Sequence, residues 1–132
     1  MTTEWSVWLA IALGSAMGGV ARQSLTEAVT LLAGSGFPWG TWLVNVLGSG
    51  AIGAVAAATA NGWPAAWSAT GRHAVMTGVL GGFTTFSTFS MQVVGLCQQG
   101  HWAEAGAYAG TSLLVSVVAC WGAFAAVQAL GR

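Results

Sequence analysis

An all-α membrane protein with four transmembrane helices is the fold class that this sequence predicts, and three observations carry it. Only 5% of the residues are charged and 55% are hydrophobic, with a mean hydropathy of +0.71. A soluble domain carries roughly 25% charged residues, enough to keep its surface wet and its apolar patches small. Four stretches reach the roughly 20 apolar residues that a span requires, at about Trp5–Leu25, Thr41–Ala60, His73–Gln98 and Ala103–Leu130. Turn-forming residues and tryptophans sit between them. One domain covers residues 1–132.

The first stretch begins beside Glu4, where a signal peptide would carry positive charge, so it reads as a retained helix. Gly14 and Gly18 are four apart on it, as are Gly78 and Gly82 on the third stretch and Gly106 and Gly110 on the fourth. Small residues at that spacing let helix backbones approach closely in lipid.

Gly34-Ser35-Gly36-Phe37-Pro38 precedes the second stretch and Asn61-Gly62-Trp63-Pro64 follows it, so both prolines fall in breaks. Thr41, Asn45 and Ser49 are spaced i, i+4, i+8 and line one face of this helix. The Asn45 amide offers two donors. By itself it reads as interhelical glue.

The third stretch contains Gly78-Val79-Leu80-Gly81-Gly82-Phe83-Thr84-Thr85-Phe86-Ser87-Thr88-Phe89-Ser90. Adjacent glycines followed by Ser, Thr and Phe are poor helix material. Mid-membrane, the run predicts a helix that breaks and restarts, tolerated only in protein or along a cavity. Such breaks expose carbonyls to cations and helix N-termini to anions. Phe86 and Phe89 share a face, and ring edges carry positive potential toward an anion. After Gln98-Gln99-Gly100-His101, the fourth stretch places Tyr108, Ser112 and Ser116 on one face. Polar stripes on two helices point to a shared polar lane rather than to glue alone.

Trp5, Trp8, Trp39, Trp42, Trp63, Trp67 and Trp102 cluster near the breaks, as an interfacial aromatic belt does, while Trp121 lies deep. Four spans put both termini, with Arg72 and Arg132, on one side and Arg22 toward the other. The positive-inside rule then has almost nothing to act on, and insertion in both orientations is expected.

Net charge is zero and the chain has neither lysine nor aspartate, which excludes nucleic-acid binding. Cys97 and Cys120 read as small packing residues. Glu4, Glu27 and Glu104 lie near helix ends. A small proton-coupled multidrug exporter needs a titratable group inside the membrane, so that alternative is disfavoured. A structural subunit without transport leaves the polar stripes without purpose. His73 and His101 lie near helix ends, and no nucleophile–base pair or metal-ligand cluster marks an enzyme.

Three motifs carry a family resemblance. Gly18-Gly19-Val20-Ala21-Arg22, Gly40-Thr41-Trp42-Leu43-Val44-Asn45-Val46-Leu47-Gly48 and Gly78 through Phe89 resemble, in order and spacing, those of the Fluc fluoride channels. The resemblance spans essentially the whole chain. It implies an antiparallel, dual-topology homodimer with two pores in the bacterial inner membrane, exporting fluoride passively. It implies that Phe86 and Phe89 present ring edges to fluoride, and that Asn45, Ser87 and Thr88 donate hydrogen bonds near the pore. Thr41 belongs to the same polar lane, with Tyr108, Ser112 and Ser116 as a track beside it. Arg22 and Gln92 fall at the vestibule. A structural sodium ion at the dimer centre is implied on the backbone carbonyls of Gly81 and Thr84 from both subunits. The family often has an acid where this chain has Gln92, which keeps hydrogen-bonding capacity without charge.

Overall fold

The computed structural model describes residues 2–63 and 67–131. Expectations that fall on Pro64 and Arg132, and on the side chain of Glu4, lie outside the described residues. Every regular element among the described residues is helical. Helix α1 spans Thr2–Ala33 and α2 spans Trp39–Ala60. A short helix α3, Ala69–His73, continues through a π-helical stretch, Ala74–Leu80, into the single turn α4, Gly81–Phe83. Helix α5 spans Phe86–Gln98 and α6 spans Trp102–Leu130.

Helix α1 runs well past its expected end near Leu25. Along the added turns, Gln23 Nε2 donates to Glu27 Oε1 one turn on, at 2.8 Å, a spacing that supports a helix, and Thr30 Oγ1 satisfies itself on the Thr26 carbonyl at 2.8 Å. The stop comes at Gly34, whose φ of 82° a side chain would strain. Helix α3 starts earlier than expected, at a Ser68 cap that accepts from the Gly71 N–H at 3.0 Å.

Among the described residues, three helical spans are long and apolar enough to cross a membrane: Trp39–Ala60, Ala69–Gln98 and Trp102–Leu130. Helix α1 has the length, at 32 residues. Its apolar character is thinned by serines, glycines, Arg22 and Glu27.

The interior is small. Phe89, Leu96, Ala105 and Tyr108 form a buried cluster, with Phe37, Trp42 and Val93 packed on it. Far more apolar surface faces outward, including Trp8, Leu13, Leu31, Leu114, Val117 and Trp121. Water would drive such a surface to aggregate, whereas lipid solvates it. Trp121 sits on this outer surface too, 74% exposed.

Helix α2 packs most extensively on α6, and α1 on the π-helical stretch and α4. The second contact is backbone on backbone. A Cβ on Gly14 would stand 2.5 Å from the Ala74 carbonyl oxygen, and one on Gly82 would stand 2.5 Å from that of Ser15. A Cβ on Gly18 would collide with the Val79 carbonyl oxygen. Thus Gly14 meets Gly78, Gly18 meets the backbone of Val79 and Phe83, and Gly82 meets that of Ser15 across one crossing, the close approach that small residues permit. Gly106 and Gly110, by contrast, face open space in this chain.

Gly18→Ala is expected to cost about 1–3 kcal/mol, the range for overpacking a filled contact. Gly19→Ala, where the nearest atom to a new Cβ is the Arg22 guanidinium at 4.0 Å, should cost no stability. Thermal unfolding of both variants in the same detergent checks the contrast.

Candidate functional site

The site is organised around two residues of extended backbone. Helical dihedrals hold through Phe83, then Thr84 adopts φ −81°, ψ 158° and Thr85 φ −152°, ψ 117°, before α5 begins at Phe86. β-Branched threonines accept this conformation readily. Thr85 also caps α5: its hydroxyl accepts from the Thr88 N–H at 3.2 Å and donates to Thr88 Oγ1 at 3.1 Å, with Ser87 Oγ 3.3 Å away.

Extended residues lose their helical partners, and other helices supply replacements. The Thr85 N–H donates to Asn45 Oδ1 at 2.8 Å, and Asn45 Nδ2 donates back to the Thr85 carbonyl at 3.0 Å. From α1, Arg22 Nη1 donates to the Thr84 carbonyl at 3.3 Å. Thr84 itself turns back, with its N–H and its hydroxyl both donating to the Leu80 carbonyl at 3.1 Å. Gly48 makes room here, since a Cβ on it would collide with the Thr84 methyl group.

Beside the extended pair lies a cavity of about 290 Å³. Helix α2 contributes Asn45 and Ser49 to its wall, α5 contributes Phe86 and Phe89, and α6 contributes Ser112 and Ser116. The hydroxyl oxygens of Ser112 and Ser116 are buried and have no hydrogen-bond partner among the described residues. Leaving such groups unmet is costly, which marks them as waiting for a ligand or water. Asn45 spends one amide hydrogen on Thr85 and keeps the other. No charged side chain lines the cavity among the described residues. The rings of Phe86 and Phe89 are 5.3 Å apart and tilted at 45°. They differ in setting: Phe89 is 7% exposed and Phe86 is 71% exposed.

A second polar group stands behind Phe89. The Tyr108 hydroxyl donates to Gln92 Oε1 at 2.7 Å, and buried Thr41 lies beside that phenol. The Tyr108 ring packs 5.2 Å from Phe89 and edge-on to Phe37 at 5.4 Å. Gln92 in turn lines a more polar recess of about 350 Å³ with Ser35, Thr30 and Gln99, at the end of α1.

The structure therefore gathers Asn45, Phe86, Phe89, Ser112, Ser116, Gly81 and Thr84 around one cavity. It places Thr41, Tyr108 and Gln92 in an adjoining cluster. Ser87 and Thr88 do not line the cavity, and their hydroxyls lie at the α5 cap. Arg22 reaches the backbone of Thr84. Thr85 is the residue that sequence reasoning passed over, although a threonine just ahead of a helix restart is a favoured N-cap.

A bundle of long apolar helices around an uncharged, mostly apolar cavity that carries a few hydroxyl and amide groups is the build of a multi-pass membrane protein of the transport class. Residues 9–124 match the profile of the family described as CrcB-like protein, Camphor Resistance (CrcB), and the chain belongs to that family. It is similar to a fluoride-specific ion channel FluC of Opitutus terrae, 51% identical over 116 residues and 88% of each chain. The FluC of Paramagnetospirillum magneticum is 38% identical over 92% of this chain and 95% of its own. One from Vibrio cholerae is 42% identical over 84% of this chain and 86% of its own.

Thr85→Val should lower thermal stability by about 1 kcal/mol, the worth of a lost N-terminal cap. Thr85→Ser should restore it. Unfolding midpoints in detergent check both.

Proposed function

We propose that this chain is a fluoride-selective channel that exports the ion passively and electrogenically from the cytoplasm, giving fluoride resistance. The observation that carries the reading is the pair of buried hydroxyls of Ser112 and Ser116, unpartnered among the described residues. They share one cavity with the Asn45 amide and the Phe86–Phe89 ring pair. The names of its relatives support the same reading.

Fluoride holds its water strongly, and stripping it in a medium of low dielectric is prohibitive unless donors replace the shell. Hydroxyl and amide hydrogens do so here, and aromatic edges add positive potential without a formal charge. A fixed ammonium would hold the ion too tightly, while conduction needs binding that also releases. Beyond the cavity, Thr41, Tyr108 and Gln92 continue the donors toward the recess at the end of α1. The Gln92 amide accepts from Tyr108, so its N–H₂ end stays available to an anion. A proton-coupled exporter is disfavoured, since no carboxylate lines the cavity among the described residues.

The proposal includes a second copy. Phe86 is largely uncovered beside the cavity, and Gly106 and Gly110 face open space. An antiparallel, dual-topology homodimer in the bacterial inner membrane, with four spans per subunit and α1 as the first, would cover them. The extended pair Thr84–Thr85 would then be a mid-membrane break in the third span. A sodium ion would be held by the carbonyls of Gly81 and Thr84 from both subunits, as a structural charge. Gly81 fits: it lines the cavity, and the amide a continuous helix would aim at its carbonyl goes elsewhere; Thr84 lines the cavity too, with its carbonyl also accepting from Arg22 Nη1 at 3.3 Å. No group of three His, Cys, Asp or Glu offers a rival metal site among the described residues.

Fluoride efflux from liposomes, followed with an electrode, tests the function. Rapid efflux that needs a cation ionophore, with little chloride loss, is expected. Ser112→Ala should slow it about tenfold or more, the effect of losing roughly 1.4 kcal/mol of ion stabilisation. Gln92→Glu should change the rate without changing anion preference. Absence of efflux from well-folded protein would overturn the channel reading.

A further inference from the structure

In a continuous α-helix the Gly81 carbonyl accepts from the N–H four residues on, which is that of Thr85. Here that N–H donates to Asn45 Oδ1 at 2.8 Å, while the same amide group binds the Thr85 carbonyl from Nδ2 at 3.0 Å. The two bonds form a closed ring between one side chain and one backbone residue. Gly81 is an exposed residue, and its carbonyl is left without its helical donor. The neighbouring Thr84 carbonyl is steered from the other side, by Arg22 on α1.

We infer that Asn45 prepares the cation site by holding the Thr85 N–H away from the Gly81 carbonyl, and so joins the anion cavity to the cation site through a single amide side chain. The inference rests on the proposed sodium site and names the side chain that keeps it open. Asn45 is a positioning residue in this role. It never touches the cation and acts by denying the carbonyl its competing donor. Without the Asn45 acceptor, the Thr85 N–H has no better partner in hydrocarbon than the Gly81 carbonyl, because an unmet amide there costs several kcal/mol. The helix would close over the site. The ring also predicts the role of each half of the amide: Oδ1 opens the cation site, and the unbonded hydrogen on Nδ2 serves the cavity.

The test compares thermal unfolding of the purified full chain in sodium chloride and in N-methylglucamine chloride at equal ionic strength. The natural chain should show a higher Tm in sodium. Asn45→Leu, close in size and without an acceptor, should lose most of that sodium-dependent shift. Asn45→Asp, which keeps an oxygen for the Thr85 N–H, should keep it. A full sodium shift in Asn45→Leu would overturn the role of Asn45 while leaving the cation site standing. No sodium shift in the natural chain would overturn the cation site, and this inference with it. Should Asn45→Leu fail to fold, Asn45→Asp decides alone, because loss of its sodium shift refutes the inference. Fluoride efflux plays no part in this readout, so the channel reading stands or falls separately.

Discussion

Hydrocarbon does not solvate a peptide group, so every backbone donor and acceptor at membrane depth must find a partner inside the protein. Most of this chain meets the rule with continuous helix. Thr84 and Thr85 do not, and the placement of much else follows from them. Asn45 on α2 answers both polar groups of Thr85, and Arg22 on α1 answers the carbonyl of Thr84. Those two side chains reach the extended pair only because α1 and α2 approach it closely. Glycines at 14, 18 and 82 allow the first approach, and Gly48 allows the second.

The same two residues also arrange the chemistry. Because α5 restarts at Phe86 under a Thr85 cap, Phe86 and Phe89 stand on its first turn, beside the polar face of α6. Phe89 then divides the polar side chains into two groups. On one side lies the cavity with Asn45, Ser112 and Ser116. On the other lie Tyr108, Gln92 and Thr41. The ring touches both. A single aromatic side chain thus stands between two hydrogen-bonding environments, both built on α2 and α6, with Gln92 of α5 joining the second.

The helices were legible because long apolar runs between turn residues admit few other structures. The end of α1 was not. Gln23, Ser24, Thr26 and Glu27 look like an exit from lipid, and nothing local reveals that Gln23 and Glu27 bond one turn apart on a helix that runs on to Gly34. The π-helical stretch has no compositional mark at all. It lies where Gly78 is pressed against Gly14 and the Ile11 carbonyl, a tertiary contact. Within the site, the i+4 spacing of Asn45 with Ser49 and of Ser112 with Ser116 disclosed which side chains share a face. It did not disclose partners. That Asn45 would bind a backbone forty residues away, and that Tyr108 would bind Gln92, depends on how helices cross. Arg22 shows the limit most plainly: nothing local in the sequence reveals that its guanidinium reaches the backbone of the extended pair.

The crossing of α1 with the π-helical stretch and α4 carries one more consequence. Contacts made by side chains can relax, because rotamers offer alternative packings at small cost. Gly14, Gly18, Gly78 and Gly82 have no rotamers, and each lies directly against backbone of the facing helix. The junction therefore behaves as a strut rather than a spring. Displacing α1 would have to bend two helices rather than turn one side chain. Gly82 lies two residues before Thr84, so the edge of the cavity formed by Gly81 and Thr84 is braced by backbone rather than by side chains. That edge holds its place while the side chains on the other walls stay free to adjust.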